Sequence, residues 1–496
     1  MTLTLNTHPT HSNRIDRSRT MAKQWIRMVS LAGALALAQT CLAADLSGNW
    51  VAKSGTDAAP QYAHVSIKAD GDKLSGAWGT SKIDGTLTDG KVDIKLTDAQ
   101  GASVGAVAGT VSGDTITVTG TAPGGGGGGR GGGFGGGAAA PAPGLAPAGP
   151  APAGRARAAG GGGGGGRGGG GGGPATYVLS RAAVPPPSPR SIDFSPTDDQ
   201  IFSFYSGANK PAIHIFPGDV VHTWTPDAGG VDAKGVQHRG GDSNIGPFYV
   251  EGALPGDTLV LHLLKVRTNR STAHQGSHLN AHAVTAAYLV GAKYDPAVTG
   301  EWTLLPDKGI AVPTHPSEHM KNYNIPLKPM LGCISVAPQG DQQYRGGDLG
   351  PFGGNMDYIG NGEGATLYFP VFHAGALLGM GDGHAAMGEG EVVGSGLETS
   401  MDVDFSVEVI PGYSSGMVRS ENKDYLMAFG VAGSVPVSIQ VATSQLATWI
   451  KKDYSLSDSE VAILFASELK YDIAELVDSR YDVVAKIPKS VLATIK

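Results

Sequence analysis

From residue 123 to residue 174 the chain is almost wholly Gly, Ala, Pro and Arg. Such a composition cannot bury enough apolar surface to offset the entropy of ordering, so the segment is expected to be disordered. It absorbs much of the chain's 77 glycines. Its arginines, Arg130, Arg155, Arg157 and Arg167, have no interleaved aromatic residue beyond Phe134, which favours a flexible loop or linker over a nucleic-acid-binding tail. On its amino-terminal side, residues 45–122 read as short strands broken by Gly-Asp and Asp-Gly turns, among them KLSGAWGT and KVDIKLTD. That spacing predicts an antiparallel β-meander or small barrel. On its other side ATYVLSRA, 175–182, reads as one more strand. The low-complexity stretch is therefore read as an overgrown hairpin loop inside a small β domain spanning 44–182, because loop-closure entropy grows only logarithmically with length. The block has no convergent His, Cys or acidic cluster, and binding or assembly is the role expected of it.

Ahead of this block, Lys23 and Arg27 precede an apolar run, Met28 to Ala38, and a small-residue site at Cys41-Leu42-Ala43. Residues 1–43 are read as a secretory signal peptide with an amino-terminal extension, Met21 being an alternative start, and a periplasmic or secreted location is expected. The apolar run is too short to span a bilayer. Acylation of Cys41 is the competing reading. Cleavage would leave Cys333 alone, without an intramolecular disulfide, and a buried structural thiol is favoured over a catalytic one. A net charge of −7 argues against a nucleic-acid partner and suits a small neutral substrate.

A Pro-rich connector, 183–199, leads into the main body, 200–496. Segments such as AIHIFPGDVVHTW and DVDFSVEVI, with Pro-Gly-Asp turns at 217–219 and 255–257, predict a large β core. Apolar residues at helical spacing predict helices over 438–451 and 457–466, with Ser455 or Ser457 as a cap. The fold class expected is α+β, predominantly β, with helices towards the carboxyl end and a small antiparallel β-barrel-like domain in front.

Between Leu378 and Glu398 the chain reads LGMGDGHAAMGEGEVVGSGLE. Asp382 and His384 lie two residues apart, so on a strand they project from one face, and carboxylate with imidazole suits a hard or borderline divalent cation. A glycine-rich turn with solvated acids fits the same pattern. The histidines of HQGSHLNAHAV, His274, His278 and His282, would align on one face if the segment were helical. They fit either a metal site or a pocket-lining loop.

Three strings in order, GPFYVEGALPGDTL (246–259), PMLGCISVAP (329–338) and FGGNMDYIGNGEGATLYFPVFHAGALLGMGDGHAAMGEGEVVGSGLE (352–398), resemble the acetamidase/formamidase family over about residues 200–490. The resemblance implies a mainly β fold, hydrolysis of the C–N bond of a small linear amide with release of ammonia, a divalent cation (zinc or calcium), and a homo-oligomer. Alternatives are a hydrolase of a bulkier amide or other carbonyl substrate, and a non-catalytic β-rich binding protein that keeps the pocket. Within this reading Asp382 and His384 rank first as metal ligands, followed by Asp357 and Asp227. Glu251 follows an apolar strand, where an unpaired charge is costly, and is the expected general base, with Glu398 competing. Asn355 and His373 are the substrate-binding candidates, while Glu389 and Glu391 are expected at the surface.

Overall fold

The computed structural model describes residues 45–56, 59–123 and 174–495. The expected signal peptide and nearly all of the expected disordered stretch lie outside these residues. Eight antiparallel strands from Gly48–Thr56 through Thr115–Thr121 to Ala175–Arg181 form a closed barrel. Closure is made by Ala175–Arg181, which pairs with Thr115–Thr121 on one side and with Gly48–Thr56 on the other. Strict alternation does the sorting: in Lys91–Thr97, Val92, Ile94 and Leu96 point inward and the residues between them face out, as the two-residue strand period requires. Trp50, Trp78, Ile116 and Leu179 fill the interior with them. Trp78 meets Tyr177 edge-on at 5.2 Å, and the Trp50 indole N–H donates to the Leu46 carbonyl at 3.0 Å. The barrel is thus a packed core. It touches the main body where His64 Nε2 lies 2.7 Å from Oδ2 of the buried Asp257.

The main body is built on two sheets. The larger has nine strands and runs from Lys470–Glu475 at one edge through Tyr481–Pro488, Thr258–Thr268 and Met401–Ile410 to Ser191–Asp193 at the other. The second sheet, of seven strands, has Leu378–His384 between Asn244–Val250 and Met330–Ser335. All seven residues of Leu378–His384 are buried. One apolar cluster, including Phe248, Leu331, Met380, Phe405 and Phe429, joins the two sheets.

The late helices form at the expected places. Val435–Asp453 begins with a proline in its first turn, where the missing N–H costs nothing, and lays Ala442, Leu446, Trp449 and Ile450 on the strands Tyr425–Ala432 and Tyr481–Pro488. Asp458–Glu468 is capped by Ser457, which accepts from the Glu460 N–H while its own N–H donates to the Glu460 carboxylate at 2.7 Å. Among the described residues no helix is long and apolar enough to cross a membrane. The histidine-rich segment differs from its helical expectation. Only Thr272–His274 is regular there, as a strand; His278 and His282 follow in a loop, and all three histidines are exposed.

The barrel core gives a direct test of this architecture. Replacing Ile94, fully buried inside it, by Ala is expected to cost about 2–5 kcal/mol, read as a lower urea midpoint. An unchanged midpoint would contradict a packed barrel interior.

Candidate metal centre

The strand Met330–Ser335 organises the site. It pairs with Leu378–His384, placing Met330 opposite His384, and with Gly353–Asn355, placing Cys333 opposite Asn355. Asp382 and His384 come from the first partner, and Asp357 follows the second by two residues. Between them sits Gly332. A Cβ there would lie 2.3 Å from Asp357 Oδ1 and 2.5 Å from Asp382 Oδ2, so only glycine lets the two carboxylates close over the strand. Glu398 is joined to His384 by a backbone bridge, and Glu475 at the end of Lys470–Glu475 is joined to Gly390 in the same way. The turn between brings in Glu391. Three of these acids, Asp357, Asp382 and Glu391, have φ of 42°, 55° and 45°, left-handed backbone that non-glycine residues adopt at a cost of order 1–3 kcal/mol and that concentrates at functional sites.

His384 lies at the middle of the acids. Its Nε2 is 3.1 Å from Glu398 Oε1, 3.3 Å from Asp382 Oδ1, 3.9 Å from Asp357 Oδ1 and 4.0 Å from Glu391 Oε1. All of these side chains are buried, and so is Glu475. Neither ring nitrogen of His384 is satisfied by a hydrogen bond, nor are both oxygens of Asp357, Oδ1 of Asp382, Oε2 of Glu398 or Oε2 of Glu475. Buried polar atoms in native proteins are almost always partnered. Seven unpartnered atoms in one place could hold a ligand, and their chemistry, carboxylate oxygen with one imidazole, fits a hard or borderline divalent cation.

The electrostatics agree. Burial, reinforced by neighbouring acids, pushes Asp357 well above the usual carboxylate range. Burial also lifts Glu391 to about 10, and Glu398 and Glu475 to about 7 each. Burial opposes charge on His384, but Glu398 and Asp382 outweigh it and hold the imidazole well above its ordinary value. The His384 charge in turn keeps Asp382 below the usual range against the pull of burial. At the half-buried rim stand two further acids, Asp242, raised to about 7, and Asp478, raised to about 6, burial being the largest cause for each.

Of the residues singled out from the sequence, Asp357, Asp382, His384 and Glu398 are brought together, with Asn355 beside them. The Asn355 amide donates to Asp478 Oδ2 at 2.9 Å and its Oδ1 accepts from the Cys333 thiol at 2.9 Å. Burial raises that thiol well above its ordinary pKa, in keeping with a structural cysteine. The side chains of three candidates have other partners. Glu251 pairs with His214 at 2.6 Å; because Asn244 lies opposite Gly381, Glu251 is seven residues, on the order of 20 Å at about 3.3 Å per residue, along the strand from Asp382. Asp227 is neutralised by Arg270 at 2.6 Å and accepts the Val231 N–H. His373 Nε2 lies 2.8 Å from the Pro338 carbonyl. Glu389 is exposed as expected, but Glu391 is not: its left-handed backbone turns the side chain inward. Glu475 was not singled out from the sequence, because it lies in no motif and reaches the site only through the pairing of the last strands.

Residues 351–436, which carry five of the six ligand candidates, match the Acetamidase/Formamidase family. The carboxy-terminal body belongs to the acetamidase/formamidase family. The structure of a protein described as a predicted acetamidase/formamidase from Thermoanaerobacter tengcongensis is 28% identical with a TM-score of 0.52, the match covering 62% of this chain and 98% of that one. An acetamidase from Bacillus halodurans is 25% identical with a TM-score of 0.52, over 61% of this chain and 99% of that one. An acetamidase from Yersinia enterocolitica, 23% identical with a TM-score of 0.52 over 61% of this chain and 93% of that one, shares the fold. No curated protein matches significantly. Nearly the whole of an acetamidase/formamidase structure thus corresponds to about three fifths of this chain.

Two predictions follow the geometry. Gly332→Ala is expected to leave a folded protein whose affinity for Mn²⁺ is at least about 10-fold lower, measured by titration calorimetry; unchanged affinity would contradict the close approach of Asp357 and Asp382. In metal-stripped protein the raised carboxyls hold protons that the unfolded chain releases near 4.5. Their contribution to stability is complete below that value and is lost as pH rises through about 7 and on towards 10. The melting temperature with chelator is therefore expected to fall between pH 5 and pH 8, and saturating divalent cation to reverse the fall.

Proposed function

We propose that the carboxy-terminal body hydrolyses small linear amides, of the formamide or acetamide kind, to carboxylate and ammonia with the help of a divalent cation. The observation that carries this reading is the set of orphaned carboxylate and imidazole atoms around His384, inside a fold shared with acetamidases. An unactivated amide combines a weak electrophile with a poor leaving group, and both ends need assistance. Asp357, Asp382 and His384, whose ligand atoms lie within 4.8 Å of one another, would hold the cation. When bound, such an ion supplies Lewis-acid polarisation and makes water more acidic near neutral pH.

The remaining work falls to the chain's own groups. Glu398 Oε1 accepts the Gly396 N–H at 2.9 Å, which leaves Oε2 free. A carboxyl with a pKa of about 7 is matched to taking a proton from attacking water and passing it to the departing nitrogen, an effect of about 10²- to 10⁴-fold. Asn355 orients Asp478 at the rim, where the acids offer acceptors to the amide N–H groups. Cys333 and Tyr205 pack behind them, Tyr205 donating to the Gly346 carbonyl at 2.7 Å. The pattern of residues 21–43 supports export, and the family resemblance supports a homo-oligomer.

Ammonia release from formamide and acetamide by metal-analysed protein tests the proposal. Asp382→Ala is expected to lower kcat/KM by at least about 100-fold with loss of metal, and Glu398→Gln to lower kcat by about 10²-fold or more with metal retained. A wild-type protein that holds no cation and releases no ammonia from either amide would contradict it. Unchanged ligand binding with no turnover in wild type or variant would instead make the chain a binding protein.

A further inference from the structure

We infer that the cluster is built for two cations, bridged by Asp357, with Glu391 and Glu475 as ligands of the second. This rests on the cation-site reading above and goes beyond it in stoichiometry and in the role given to Glu475. Three triads can each surround one ion with ligand atoms within 4.8 Å of one another: Asp357, Asp382 and His384; His384, Glu391 and Glu398; Asp357, Glu391 and Glu475. No residue is common to all three. Glu475 shares a triad with Asp357 and Glu391 but with neither Asp382 nor His384, so one ion held by Asp382 and His384 leaves Glu475 without a partner.

Three observations assign it one. Glu475 is fully buried, its Oε1 accepts the backbone N–H groups of Val477 and of Asp478, the latter at 2.9 Å, and its Oε2 has no partner. The carboxylate is thus clamped by one oxygen and set beside the Glu391 carboxyl. Asp357, the residue shared with the His384 triad, is fully buried with both oxygens unpartnered, which is what a bridging carboxylate requires. The charge balance points the same way. Five buried carboxylates face one imidazole; a single divalent cation offsets two of the negative charges and a pair offsets four, and residual buried charge is costly. The fully buried Asp482 lies opposite Glu475 across the last two strands.

The two positions differ in chemistry. The His384 position offers nitrogen as well as oxygen and suits zinc or manganese, whereas the Glu475 position is all oxygen and suits calcium, magnesium or manganese. Manganese fits both and is the probe of choice.

The test is Mn²⁺ stoichiometry on chelator-stripped protein of the full chain, by titration calorimetry and by metal analysis after desalting, together with electron paramagnetic resonance at saturation. The wild type is expected to bind two equivalents and to give the signal of a spin-coupled pair. Glu475→Gln is expected to bind one, with that site's affinity within about 3-fold of its wild-type value and the signal of an isolated ion. One equivalent and an isolated-ion signal in the wild type would overturn the inference while leaving the amidohydrolase reading intact. No binding at all would overturn both. Should Glu475→Gln fail to fold, the wild-type stoichiometry and spin coupling decide the matter alone.

Discussion

Uncompensated negative charge in a dry interior is the constraint on which this structure turns. Ion pairs elsewhere in the protein are closed by a side chain of opposite sign, as Asp227 is by Arg270 and Asp219 by Arg190. Around His384 no such closure exists: among the described residues the imidazole is the one basic group set within four carboxylates at 4.0 Å or less. A folded chain can keep such an arrangement only by taking up protons or by taking up cations. The raised carboxyls show the first solution in the absence of metal. The orphaned oxygens are arranged for the second.

Much of the surrounding fold serves to hold those acids close together. Gly332 lets two carboxylates lie over one strand, and Gly396 leaves room for the His384 ring, whose Nδ1 would be 2.4 Å from a Cβ at that position. Left-handed backbone at Asp357, Asp382 and Glu391 turns their side chains into the same volume. The strain is borne by the sheets, which lock the strands Met330–Ser335 and Leu378–His384 in register and bury them completely. The barrel stands apart from this machinery. Its interior is filled, and its link to the body through His64 and Asp257 meets the turn at 255–257 that leads into the larger sheet.

What the sequence disclosed depended on the range of the physics involved. Local patterns were readable: the alternation of Val92, Ile94 and Leu96, a helix cap at Ser455 or Ser457, the two-residue spacing of Asp382 and His384. Features set by tertiary pairing were not. Glu475 looks like any acid at a strand end until the last two strands place it beside Gly390. Glu391 sits in a Gly-Glu-Gly-Glu string that reads as solvated, because nothing local reveals the left-handed turn that buries it. Glu251 does follow an apolar strand, as read, but the group that compensates it, His214, comes from a strand 37 residues earlier. The spacing of His274, His278 and His282 describes a helix face only where a helix forms, and the chain there pairs as a short strand and then loops.

Anomalous diffraction from crystals grown with Mn²⁺ tests most directly whether metal completes the cluster around His384. A strong anomalous peak bonded to Asp357, Asp382 and His384 is expected, with the orphaned oxygens turned towards it. A cluster without anomalous density, its carboxyls hydrogen-bonded to one another and to water, would contradict it.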